Sequence, residues 1–160
     1  MKTEHFQITK ERSLSRGWLY TITHQDWTCR SPSFAVANVP TAEAIRGAIE
    51  TVINEHTRQE ITENFVFDFN DGNGPCRVWL SAENQANYAS YLKAVELGVE
   101  SITLKVNNSI GSVCYAEIKA ADYANFYLSL VNHIKEAVEQ GWREKDEINC
   151  NLLASMAEDL

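Results

Sequence analysis

The sequence predicts an α+β fold: a four-stranded antiparallel sheet built from two β-hairpin–helix units and packed against helices, with extra N-terminal strands. Three observations carry this reading. Phe65, Phe67 and Phe69, and later Ile102, Leu104 and Val106, alternate with other residues at the period of a strand. Each alternating run leads through turn residues into a return strand and then an apolar stripe at helical spacing. The hairpin–helix pattern recurs, at an offset of 37 before the turn and 38 after it, and the latter pairs Cys76 with Cys114, Ala82 with Ala120, Ala86 with Ala124, Asn87 with Asn125 and Leu92 with Leu130.

In chain order, the first forty residues read as strands and turns. Phe6 and Ile8 alternate, and Gly17 to His24 is rich in aromatic and β-branched residues with Trp18, Tyr20 and Ile22 on one face. Ser33 to Val39 is expected as a third strand, ended by Pro40. Thr41 is placed to accept a hydrogen bond as a helix N-cap, because its hydroxyl can take up an unpaired first-turn N–H. From there Ile45, Ala48, Ile49, Val52 and Ile53 form an apolar stripe, and the helix should run to about Glu60.

The first hairpin turns at Asn70 to Pro75, where Asn and Gly tolerate positive φ, and Cys76 to Leu80 is the expected return strand. Ser81 caps a helix lined by Gln85, Tyr88, Leu92 and Val95, and Gly98 should stop it. In the second unit Asn107 to Ser112 turns and Val113 to Ile118 returns. A long helix then begins near Ala120 with Tyr123, Phe126, Tyr127, Leu130, Val131, Ile134 and Val138 on one stripe. Gly141 is expected to end or loosen it, and Ile148, Leu152, Leu153 and Met156 suggest a short last helix. The domain reading is an N-terminal β segment over 1–40 and an α-β-β-α-β-β-α domain over 41–160, expected to form one compact unit overall.

The alternation also assigns faces. Cys76, Val78 and Leu80, with Cys114, Ala116 and Ile118, should point to the helices, which leaves Val66, Arg77, Trp79 and Tyr115 on the opposite face. An arginine beside a tryptophan is interface composition, so these four are the candidate partner-binding residues. In the competing reading the N-terminal strands fold over that face and bury it.

Composition narrows the partners. Twenty-two acidic against fourteen basic residues give a net charge of −8, and no basic patch stands out that would hold a phosphate backbone. Direct nucleic-acid binding is therefore not expected. No apolar run reaches the ~18 residues a membrane span needs, and Met1 leads into Lys2, Thr3, Glu4 and His5 rather than an apolar leader. The four cysteines, Cys29, Cys76, Cys114 and Cys150, form no CxxC pair and are expected reduced, as in a cytoplasm.

No catalytic, cofactor or metal set is read from motifs. The histidines His5, His24, His56 and His133 share no i, i+4 spacing. Asp68 to Gly74 starts like a calcium loop, but Asn73 stands where that loop needs glycine and Trp79 where it needs a bidentate acid. Cys29 near His24 suggests a nucleophile and base only by proximity in sequence.

From about Glu63 to Trp142 the chain resembles a family of small proteins encoded beside phage and prophage tail and tail-fibre genes. The features that carry the resemblance are the first hairpin returning into Val78-Trp79-Leu80, the capped helix after it, the hairpin starting Ser101-Ile-Thr-Leu-Lys-Val106, and the aromatic-rich helix from Ala120. The resemblance implies a non-enzymatic accessory protein that acts by protein–protein contact, with a protein partner or a second copy. The expected location is the host cytoplasm or the virion. The alternative is a compact acidic inhibitor that binds and blocks a host protein.

Overall fold

Among the described residues, seven strands and four helices follow the order set by the alternating and helical stripes. The computed structural model describes residues 5–36 and 40–160. β1 (Phe6–Ser13), β2 (Gly17–His24) and β3 (Phe34–Val36) are followed by α1 (Ala42–Glu63), β4 (Val66–Asp68), β5 (Pro75–Arg77) and α2 (Ala82–Glu96). β6 (Ser101–Asn107), β7 (Val113–Lys119), α3 (Ala120–Asp146) and α4 (Cys150–Glu158) complete the chain. The architecture is α+β with two antiparallel sheets, one in the order β1-β2-β3 and one in the order β4-β5-β6-β7. Of the expected third strand, residues 37–39 lie outside the described residues.

The chain divides into two compact units, Met1–Arg58 with Glu139–Leu160, and Gln59–Val138. The expected break after residue 40 falls inside the first of these.

In the first unit, β1 and β2 pair along their full length from Phe6↔His24 to Ser13↔Gly17. Phe6, Ile22 and Cys29 are buried with Ile45, Ile49, Val52 and Ile53 of α1 and with Ile148, Leu153 and Ala157. Thr41 caps α1 as its side chain predicts, accepting the Ala44 N–H at 3.1 Å. Asn149 caps α4 in the same way, accepting from the N–H groups of Asn151 and Leu152.

α3 does not end or loosen at Gly141 but runs through it to Asp146. The reason is packing: a Cβ at residue 141 would lie 2.5 Å from Thr57 Oγ1. Glycine serves here for close approach of two helices, not as a stop.

In the second unit, Cys76, Val78 and Leu80 are fully buried with Ala116, Ile118, Tyr123, Phe126 and Leu130. The helices thus cover the predicted sheet face. Val131, expected on the buried stripe of α3, is 41% exposed instead; it sits at the edge of an apolar arc that three rings, Tyr123, Phe126 and Tyr127, already fill. Ser81 accepts the Asn84 N–H to start α2, and Gly98, at φ 109°, stops it. No helix among the described residues is long and apolar enough to cross a membrane.

Candidate functional site

Four strands leave one face of the second sheet without helices, and the residues on it are fixed by register. Val66 pairs with Arg77, Arg77 with Asn107, and Asn107 with Val113, so these four make one row across all strands. The next row sets Lys105 opposite Tyr115, and the one after it Thr103 opposite Glu117. Val66 is 52% exposed, Trp79 49%, Val113 57% and Tyr115 67%. All four residues read from the sequence as partner-binding, Trp79, Arg77, Tyr115 and Val66, therefore lie on this side and are open to solvent. Among the described residues, β1, β2 and β3 pair with one another.

Strand pairing breaks down in the middle of this face. β6 pairs with β7 from Ser101↔Lys119 to Asn107↔Val113, but it meets β5 only at Arg77↔Asn107. Beyond Arg77 the chain turns to the start of the hairpin and the end of α1: the Val78 N–H donates to Phe65 O, just before β4, and the Leu80 N–H to Thr62 O in the last turn of α1, both at 2.9 Å. The expected return strand Cys76–Leu80 thus ends its sheet pairing with β6 three residues early. Ser81 supplies the cause, because as the N-cap of α2 it must carry the chain away from the sheet directly after Leu80.

A groove of about 460 Å³ opens where β5 and β6 part. Trp79, Asn84, Asn87 and Tyr91 line it with Thr103 and Lys105. Asn84 Nδ2 is held by donating to Trp79 O at 2.9 Å, which ties the α2 wall to the strand end. The side of β6 away from β7 carries backbone N–H and C=O groups that no ladder among the described residues takes up between Ser101 and Val106, and such an edge is a template for another strand. Among the described residues, neither Arg77 nor Lys105 forms an ion pair.

No family model, curated protein or solved structure matches the chain.

Sequence reasoning missed Lys105, Val113 and the gap itself. Lys105 and Val113 could have been found by carrying the two-residue period one strand further. The gap had a single signal, the cap residue Ser81 directly after Leu80.

Burial pushes the Cys29 thiol above its ordinary pKa, with the Glu55 carboxylate acting the same way, so the thiolate is disfavoured. The acidic turn after β4 is held by its own hydrogen bonds. Asp68 accepts the Asn70 N–H, and Asp71 accepts from the Asn73 N–H and side-chain amide. These contacts also lower the pKa of Asp71.

Proposed function

We propose that this protein works by contact with another protein and not by catalysis, as an accessory protein of the phage or prophage type that residues 63–142 resemble. The open groove between β5 and β6 is the observation that carries the reading. The occupant is an extended segment of a partner protein that adds a strand to the free side of β6. Main-chain hydrogen bonds would supply affinity and flanking side chains specificity. Trp79 and Tyr115 provide aromatic anchors of the kind that dominate interfaces. Arg77 and Lys105, without carboxylate partners among the described residues, favour a segment that carries acidic side chains. The two hairpin–helix units are read as copies of one supersecondary element, with the gap at the joint between the copies.

The test is capture of a partner from cells of the native source, with the complex sized by light scattering. Trp79→Ala and Lys105→Glu should each weaken capture tenfold or more while circular dichroism stays unchanged. Leu128→Ala, at an exposed position on α3, should have no effect. Lys105 is exposed, so the charge reversal tests the surface without touching the core. Full capture by Lys105→Glu, together with unfolding of Trp79→Ala, would overturn the proposal.

A further inference from the structure

Outside that face, one group of metal-ligating side chains among the described residues gathers at the end of the β1–β2 hairpin. Phe6 pairs with His24 at the ladder's open end, and the Gln25 N–H continues the ladder by donating to His5 O at 3.0 Å. The Trp27 N–H donates to His24 O at 3.4 Å and closes a turn. Two residues distant in sequence, His5 and His24, thereby come beside Asp26. One donor atom from each of the three lies within 4.8 Å of the others.

His24 is the unusual member. It is 5% exposed, and its Nε2 is buried with no hydrogen-bond partner among the described residues. Buried polar atoms of the side chain are nearly always paired, so an orphan needs an explanation. The ring is also held. Trp27 stacks on it with centroids 3.9 Å apart and planes 16° from parallel, and His56 stacks on Trp27 at 3.9 Å and 7°. Phe6 meets the His24 ring edge-to-face at 5.0 Å. A ligand whose orientation is set by packing loses little freedom on binding.

We propose that His5, His24 and Asp26 form a binding site for a divalent transition metal ion of the zinc class. Two imidazole nitrogens and one carboxylate oxygen are the donor types such ions take, whereas calcium and magnesium prefer oxygen alone. Three protein ligands leave a coordination position open for water or an anion. A tetrahedral site sets its donors about 3.3 Å apart, so the three must close in around the ion. His5 is half-buried and Asp26 exposed, and these two supply the movement towards the fixed His24.

The protons balance without a net change. His24 Nδ1 accepts the Asp26 N–H at 3.1 Å, which places the ring proton on Nε2 in the metal-free protein. Coordination through Nε2 moves that proton to Nδ1 through solvent. The Asp26 amide gives up its contact as the Asp26 carboxylate turns to the ion. The orphaned nitrogen thereby gains its partner.

The experiment uses the full chain without an affinity tag, equilibrium dialysis against Zn²⁺ with elemental analysis, and Co²⁺ absorption in the visible region as a reporter of coordination geometry. The expected result is saturable binding of one ion per chain and a Co²⁺ spectrum of tetrahedral intensity. His5→Ala and Asp26→Asn should each weaken binding tenfold or more. His133→Ala, whose ring contacts Glu60 O, should leave it unchanged. Absence of saturable binding in the wild type would overturn the proposal. So would equal binding by either the His5 or the Asp26 variant, because the site needs all three ligands.

Discussion

Replacing Phe126 by alanine should remove the keystone of the second unit. Its ring is fully buried and lies against five others: Phe67 at 5.2 Å, Tyr123 at 5.6 Å, Phe69 and Tyr88 at 5.8 Å, and Phe65 at 6.0 Å. Truncating a buried phenylalanine costs about 3–5 kcal/mol through lost transfer energy and the cavity left behind. Five neighbouring rings pinned by sheet and helix cannot collapse into that space, which puts Phe126→Ala near the upper end. Phe126→Leu keeps most of the volume and should cost about 1–2 kcal/mol. Urea unfolding followed by circular dichroism reads both: with a slope of about 2 kcal/mol per molar, the alanine variant should lose about 2 M of midpoint. A loss below about 0.5 M, or equal losses for the two variants, would show that these rings do not form one packed cluster.

Two further outcomes follow from burial. Val78→Asp should destabilise the protein by several kcal/mol, because a carboxylate at a fully buried position has no partner, while Arg77→Asp on the exposed neighbour should change the melting temperature little. Equal melting temperatures would refute the face assignment. Burial, and then the neighbouring Cys114, push the Cys76 thiol from its ordinary value of 9.0 up to about 11. A group that holds its proton more tightly when folded stabilises the fold fully below pH 9 and less as pH rises towards 11. Iodoacetamide at pH 8 should therefore label exposed Cys150 first and Cys76 only after unfolding, with the denaturation midpoint falling between pH 9 and 11; rapid labelling of native Cys76 would contradict this.

Much of the fold was legible because its signals are local. Thr41, Ser81 and Gly98 each perform at the backbone the task their side chains, or the lack of one, predict. The two-residue period placed Cys76, Val78 and Leu80 inward and Arg77 and Trp79 outward. What could not be read depends on contacts between distant residues. Gly141 carries the same local signal whether it stops a helix or admits Thr57, and only the approach of α1 decides. His5 and His24 meet through strand register rather than through any spacing along the chain. The gap between β5 and β6 is a failure of pairing, and an alternating strand looks the same with or without its neighbour.

The division of the chain has a consequence for synthesis. Gln59–Val138 is continuous and holds a complete core, so it can fold as soon as it leaves the ribosome. The other unit cannot, since Ile45, Ile49, Val52 and Ile53 are made before that stretch and Ile148, Leu153 and Ala157, which pack with them, after it. Translation of residues 59–147 takes about 5–20 s at ordinary elongation rates. Throughout that interval the apolar stripe of α1 waits half covered on the nascent chain, the period in which a trigger-type chaperone would find its target and a premature stop would leave an aggregation-prone product.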